Sequence, residues 1–319
     1  MLRTAAALAL SALLLASCSS GAGPRPHDGT ATWEQTVARA TAARAEDLAA
    51  LGETERALAT AEQALLAARE AHDPRAEARA LALLGRLSGS STSVARAAEL
   101  ARELGDADMA RLTDLLLAEQ LLSEGDAPGA LALGDALLQG HESVLEDQQQ
   151  ALAAMLAGAH FEARVQHLRS RALRSLERWN EMDLAARRAR LALSLVPDDE
   201  LLELRYAVDM DVAQGHVIGG RLDVAFGLHA KAALHAREAG NRLGECLALR
   251  WMARDLAGMG RDRDAVTHLE RAYDVARELG DVPLSRSLAK EGLSLLHSLD
   301  EPLDSPRFAR FRAALLEER

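Results

Sequence analysis

Small and apolar residues recur along the chain at helical spacing, and they predict antiparallel pairs of helices joined by glycine turns. The pattern is clearest after Gly260, where the predicted second helix carries Ala265 and Ala272 seven residues apart on one face. That helix runs to Gly280, a residue that suits the left-handed end of a helix. The predicted first helix carries its apolar residues upstream of the turn, at Leu249, Met252, Ala253 and Leu256.

The same pattern recurs in other parts of the chain. The copies are Gly220, Ala225 and Ala232; Asn180, Ala185 and Ala192; Gly125, Ala130 and Leu137; Gly52, Ala57 and Ala64; and a degenerate copy around Ala97 that ends at Asp106. Most copies lie ~34–40 residues apart, as in helical repeat arrays. Because one helix pair cannot bury its apolar face alone, the copies are predicted to stack on each other.

This pattern resembles the tetratricopeptide repeat, through the Gly or Asn turn, the small residues seven apart and Pro197 in a closing position. The resemblance implies an all-α, superhelical array of antiparallel helix pairs, an α-solenoid that binds other proteins in its groove. The chain departs from the family because Ala or Leu replaces the usual large aromatics. We expect the repeats to occupy residues 32–299.

The repeats are followed by a different signal at residues 300–319. Asp300-Glu301-Pro302 breaks the last repeat, and Ser305 and Pro306 are typical of a helix start. The apolar residues of this last segment are Phe308, Phe311 and Leu315. They predict a capping helix that seals the end of the stack, or alternatively a docking helix for a partner.

Residues 1–17 have the features of a secretion leader. Arg3 precedes an apolar run from Ala5 to Ala16, which is about half the ~20 residues that a spanning helix needs. Leu15-Ala16-Ser17-Cys18 resembles the lipobox of bacterial lipoproteins, which implies a diacylglycerol and a palmitate-type acyl chain on Cys18. The alternatives are an ordinary leader with an incidental Cys, or an uncleaved anchor. Residues 18–31 then form the lipidated Cys and a flexible tether.

The resemblance to lipoproteins also implies a location. Ser19 stands where an Asp would retain such a protein at the inner membrane. We therefore expect a bacterial envelope protein at the outer membrane, facing the periplasm.

Composition favours a helical array, and the net charge disfavours binding to nucleic acid. The chain is 49% hydrophobic but only 3% aromatic, which disfavours strands. Its net charge is −11, and −12 once the leader with Arg3 is removed, so it would repel phosphate backbones. After lipidation of Cys18, Cys246 is the remaining thiol, and we expect it to be a small buried residue.

The most distinctive surface is a predicted basic strip at residues 160–178, which follows an extra helix predicted at Ser143–Gly158. The strip comprises His160, Arg164, His167, Arg171, Arg174 and Arg178, spaced 4, 3, 4, 3 and 4 apart on one helical face. It is suited to gripping an acidic partner, because guanidinium pairs bidentately with carboxylate or phosphate. The alternative is a solvated face neutralised by Glu177, Glu181 and other acids.

The geometry of the resembled family gives a second set of groove residues, at fixed offsets from the small residue of each second helix. These are Leu112, Leu115 and Glu119; His167 and Arg174; Met210 and Gln214; and Arg250 and Arg254. Combining this set with the strip, the predicted partner-binding residues are His167, Arg171, Arg174, Arg178, Met210, Gln214, Arg250 and Arg254.

The sequence offers no catalytic or cofactor motif. It lacks the His-Glu-x-x-His pair of zinc proteases, the Gly-x-Ser-x-Gly elbow and the phosphate loop, so no enzyme, cofactor or metal is predicted. The resulting hypothesis is a membrane-anchored envelope scaffold that binds a segment of an envelope protein in its groove, as an assembly factor or adaptor. The alternative is a sensor that binds an anionic cell-wall or lipid ligand through the basic helix face.

Overall fold

The computed structural model describes residues 31–139 and 148–316, and this part of the chain contains fourteen α-helices and no strand. The chain divides between Val144 and Leu145 into two compact units. The first unit holds α1 (Trp33–Ala50), α2 (Thr54–Glu70), α3 (Pro74–Ser88), α4 (Ser91–Glu103), α5 (Ala107–Ser123) and α6 (Ala127–Gln139). The second holds α7 (Gln148–Ser175), α8 (Trp179–Leu193), α9 (Leu202–Ile218), α10 (Leu222–Glu238), α11 (Arg242–Gly258), α12 (Asp262–Glu278), α13 (Val282–Ser298) and α14 (Pro306–Leu316).

Each unit is a stack of helix pairs. Every helix contacts the next one in its unit, and odd-numbered helices also contact each other: α1 with α3, α3 with α5, α7 with α9, and α9 with α11. Within each unit, the odd-numbered helices therefore form one layer, which we call the first-helix layer, and the even-numbered helices form the second-helix layer. This confirms the predicted all-α array of antiparallel pairs.

The predicted glycine turns are confirmed at four of the copies. Gly52, Gly125, Gly220 and Gly260 have φ values of +77°, +92°, +71° and +74°. A backbone bond from Arg261 N–H to Leu256 O, 2.8 Å long, closes the turn after α11. Glycine adopts this left-handed conformation without the steric cost that a Cβ brings.

The copy placed at Asn180 has a different register from the one predicted. Asn180 lies inside α8, and the left-handed turn residue is Glu177, with φ +58°. Met182 and Ala189 therefore take the positions of Ala265 and Ala272, and all four are buried. The sequence misled because Ala185 and Ala192 are also small, buried and seven apart.

The extra helix predicted at Ser143–Gly158 is wrong as a separate element. Within the described residues, Gln148–Ser175 is one continuous helix that passes through Gly158. An interior glycine costs a helix only ~1 kcal/mol and does not end it when the flanking residues favour helix.

The second unit ends with α14, as predicted, which packs on α13 and caps the stack. Phe311 is fully buried, and its ring meets Tyr273 of α12 edge-on, with centroids 5.6 Å apart. Gly292 of α13 lies so close that a Cβ there would be 2.5 Å from the Phe311 ring. A glycine inside a helix thus makes room for a fully buried aromatic ring of the cap.

The long connection between α8 and α9 is fixed by one buried arginine. Arg205 is 8% exposed, and its guanidinium donates to the backbone oxygens of Leu193, Val196, Pro197 and Glu200, over 2.7–3.0 Å. Leu193 is the last residue of α8 and the other three carbonyls lie in the connection, so one side chain bonds the end of the helix to the segment that follows it. In the ranges 31–139 and 148–316, no helix is both long enough and apolar enough to cross a membrane.

Candidate functional site

The turns of the second unit place residues of α7, α9, α11 and α13 in a common register. The left-handed turn residues are Glu177, Gly220, Gly260 and Asp300, so α7 and α9 are offset by 43 residues and the later pairs by 40. Two columns of equivalent positions follow from this register. They contain His167, Met210, Arg250 and Lys290, and then Arg171, Gln214, Arg254 and Ser294.

All eight of these side chains are half-buried or exposed. By contrast, the side of α11 that faces the second helices carries buried residues such as Cys246, Leu249 and Leu256. The two columns therefore mark the open side of the first-helix layer in the second unit, and we call this surface the first-helix face. It is the candidate binding site.

The corrected register changes two of the predicted site residues. Arg171, rather than Arg174, is equivalent to Gln214 and Arg254. The prediction measured the offset from Ala185, whereas the structure places Met182 at the position of Ala225 and Ala265. Arg178 is not on the helical face of α7 at all, since α7 ends at Ser175 and Arg178 is the N-cap residue of α8. Its guanidinium pairs with Glu181 at 2.7 Å, as the solvated alternative anticipated.

Asp211 of α9 lies against two other residues of the basic strip, Arg174 and His167. Its carboxylate is 5% exposed, accepts a 2.8 Å hydrogen bond from the Ser170 hydroxyl and forms an ion pair with Arg174. It also lies 3.6 Å from Nε2 of His167. Arg174 is thus bound to the neighbouring first helix and is only partly available to a partner.

His167 adds no charge to the face at neutral pH. Burial, followed by the charges of Arg171, Arg174 and Arg164, lowers the pKa of His167 to about 3. The imidazole is therefore neutral, with one donor and one acceptor nitrogen.

Arg250 and Arg254 of α11 are joined to α13 in the same way. Their guanidiniums donate to Glu291 Oε1 at 2.9 Å each, and Arg250 also donates to the Ser287 hydroxyl at 2.8 Å. Burial alone would raise the pKa of Glu291, but these hydrogen bonds hold it below its ordinary value. The two predicted cations are therefore held in place by one carboxylate.

Trp251, which the sequence reasoning missed, lies at the same repeat position as Asp211 and Glu291. Its indole stacks on His229 of α10 at 5.8 Å and 17°, and the Arg254 guanidinium lies 5.0 Å from the ring. His229 in turn pairs with buried Asp255 at 2.6 Å. The 40-residue spacing of Asp211, Trp251 and Glu291 is the feature of the sequence from which Trp251 could have been predicted.

Helix α9, the second of the four helices of the face, carries an uncharged residue in both columns. Met210 is half-buried and packs against the apolar core of the second unit, and Gln214 is half-buried beside it in the helix. The face therefore changes from cationic on α7 to neutral on α9 and back to cationic on α11 and α13.

Two of the three residues predicted for the groove of the first unit are buried. Leu115 of α5 is fully buried. Leu112 is 9% exposed and belongs to an apolar cluster with Leu81, Val94 and Leu116. Both leucines are core residues because α5 packs against α3 and α4. The prediction that they face a partner is wrong, while Glu119 is half-buried.

Cys246 does not enter this site. Cys246 is buried as predicted, its thiol lies 3.2 Å from Ala272 O, and burial raises its pKa to about 11, so it stays protonated. Cys18 lies outside the described residues. Within the described ranges, no three His, Cys, Asp or Glu side chains gather in a way that would hold a metal.

Known proteins match this chain by fold. No protein-family model and no curated protein matches it. The apo form of the quorum sensor NprR from B. thuringiensis superposes with a TM-score of 0.62 at 15% identity, covering 87% of this chain and 74% of that one. A Rap protein complexed with Competence and Sporulation Factor superposes with a TM-score of 0.54 at 12% identity, covering 92% of this chain and 82% of that one. The chain thus has a tetratricopeptide-like solenoid fold, the class that the repeats predicted.

Proposed function

We propose that this chain is a binding scaffold that holds a segment of another protein against the first-helix face of its second unit. One observation carries the proposal: four successive first helices present equivalent side chains in two aligned columns, at half-buried or exposed positions. Such an arrangement offers repeated contacts along an extended segment, which suits peptide recognition.

Arg250 and Arg254 on this face, and Arg174 beside it, are held in place before any partner arrives. Asp211 fixes Arg174, and Glu291 fixes Arg250 and Arg254, each across a gap between neighbouring first helices. A face whose side chains are already ordered loses less conformational entropy on binding. This favours a role in recognition over a merely solvated surface.

Two proteins of similar fold support the same role. NprR is a quorum sensor, and the Rap protein was solved with Competence and Sporulation Factor bound. A fold of this kind therefore accommodates partners in at least one neighbour. For this chain, we propose a protein partner in the bacterial envelope.

The proposed anchor is the lipid on Cys18. Its support is the sequence alone: an apolar run, small residues and then Cys18, with a polar tether behind it. Two or more acyl chains would hold the scaffold stably at the membrane, on the periplasmic side of the outer membrane in our proposal. Mass spectrometry of the N-terminal peptide should show an acylated Cys18, and Cys18→Ser should release the protein into the soluble fraction. An unmodified Cys18 in the native protein would remove the anchor.

The binding role is tested by partner recovery from detergent-solubilised envelopes. Met210→Asp combined with Gln214→Asp changes the middle of the face, and we expect it to remove the proteins that co-purify reproducibly with the wild type. The matched control is Lys231→Asp, at an exposed position of α10 in the other layer. If the face variant and the control recover the same partners, the face is not the binding site.

A second candidate is an anionic cell-wall or lipid ligand bound through the basic helix face. Arg171 favours it, because this exposed cation pairs with no carboxylate within the described residues. Co-sedimentation with phosphatidylglycerol vesicles and titration with soluble wall fragments distinguish this candidate. Binding that Arg171→Glu abolishes would support it over a protein partner.

A further inference from the structure

We infer that the segment bound at the first-helix face is acidic at both ends and uncharged in its middle. This rests on the proposed function and specifies the chemistry of the partner. The occupant is an extended protein segment with two carboxylate side chains that flank an apolar or amide-bearing stretch.

The ends of the face carry cations that are not already neutralised. Arg171 on α7 and Lys290 on α13 are both exposed, and neither pairs with a carboxylate within the described residues. The cations between them, Arg250 and Arg254, are bound to Glu291. New negative charge is therefore best placed at the two ends, where it breaks no existing ion pair.

The middle of the face disfavours charge. Met210 and Gln214 of α9 are uncharged and half-buried, and the indole of Trp251 on α11 is also half-buried. A carboxylate seated against Met210 and Gln214 would lose hydration without gaining a counter-ion from these two side chains, which is costly. An apolar side chain would instead bury surface against the thioether and the indole.

The spacing of the two acids follows from the helix stack. Packed helices lie about 8–10 Å apart, so the three steps from α7 to α13 span about 24–30 Å. An extended chain advances about 3.3 Å per residue. The two acidic residues should therefore lie about seven to nine positions apart, which a uniformly charged polymer does not match.

The test is selection from a displayed library of random 12-residue peptides on the full chain. We expect enriched peptides to carry Asp or Glu about seven to nine positions apart, with apolar or amide residues between them. A selected peptide should lose about five- to tenfold in affinity with Arg171→Glu and again with Lys290→Glu, since each change replaces attraction by repulsion. Raising the salt concentration should weaken the wild-type complex as well.

Two controls are matched in charge and exposure. Arg188→Glu on α8 and Lys231→Glu on α10 reverse exposed cations in the second-helix layer and should leave the affinity unchanged. Panning on the double variant Arg171→Glu/Lys290→Glu should enrich lysine or arginine at the two ends instead. Such a reversal is not expected from a loss of folding.

Three results would overturn the inference. These are enriched peptides without paired acids, affinity indifferent to both reversals, and binding of phosphatidylglycerol vesicles or wall fragments in place of any peptide. If native partners depend on Met210 and Gln214 while peptides show no acid preference, the inference fails and the proposed function stands. If partners are indifferent to every variant of the face, the proposed function itself fails.

Discussion

Asp211 of α9 and Glu291 of α13 occupy equivalent positions of the 40-residue repeat, and each carboxylate pairs with arginine from the preceding first helix. Trp251 takes the same position in the repeat between them. The equivalence means that this position of the repeat joins successive first helices by charge at Asp211 and Glu291, whereas Trp251 stacks on His229 of the second helix α10. Three of the predicted partner-binding residues, Arg174, Arg250 and Arg254, are components of these joints.

The first prediction concerns the joint at Asp211. Asp211→Asn should lower the free energy of unfolding by about 1–3 kcal/mol, because Arg174 loses its counter-ion and the Ser170 hydrogen bond weakens. The lower part of this range reflects the partial exposure of Arg174, which water screens. Urea denaturation followed by tryptophan fluorescence measures it. The control Asp223→Asn, at an exposed position of α10, should change stability by less than about 0.5 kcal/mol; an equal effect of both would contradict the joint.

The second prediction is a pH dependence that originates at His167. Its pKa is about 3 in the folded chain against an ordinary 6.5, so the unfolded chain binds a proton that the folded chain excludes. This contribution to stability is complete above pH 6.5 and is lost as the pH falls towards about 3. The stability of His167→Gln should therefore fall less steeply over this window. His297→Gln, at an exposed histidine of α13, should keep the wild-type slope; identical slopes for both variants would be against the prediction.

The third prediction compares two glycines inside helices. Gly292→Ala should destabilise the second unit by about 1–3 kcal/mol, because the new Cβ meets the buried Phe311 ring. Gly227→Ala has no atom within 4 Å of the new Cβ and should stabilise by about 0.5–1 kcal/mol through helix propensity. Thermal unfolding of the two variants measures the difference. Stabilisation by both would mean that α14 does not pack as described.

The fourth prediction concerns the connection between α8 and α9. Arg205→Met should cost about 2–4 kcal/mol, because buried carbonyls lose a charged donor. Hydrogen exchange should also quicken at residues 194–201. Arg188→Met, at an exposed position of α8, should leave both quantities unchanged. Slow exchange in this segment of the Arg205 variant would show that another group holds it.

The helical stack was predictable from sequence because its cause is local. A left-handed glycine such as Gly260 and small residues such as Ala265 and Ala272 fix a turn and a close helix contact within a short stretch. Where glycine is absent, as at Glu177, that signal disappears and the register slips. The capping helix was predictable for the same local reason, from Ser305 and Pro306.

The candidate site was less predictable because its charges are settled between distant residues. The spacing of Arg171 and Arg174 shows a shared helical face but does not reveal that Asp211, on another helix, neutralises only one of them. Likewise, Leu115 has the right offset for a groove residue, yet the packing of α5 buries it. Long-range pairing and burial are properties of the folded stack, and the spacing within one helix does not contain them.

The first-helix face of the second unit is tested most directly by photo-crosslinking in the living cell. A photoreactive amino acid is placed at Gln214, on this face, or at Lys231, in the second-helix layer, and adducts are identified by mass spectrometry. We predict one dominant protein adduct at Gln214, attached through a segment with acids on either side of an uncharged stretch, and none of that protein at Lys231. The same adduct at Lys231 and its absence at Gln214 would contradict the account.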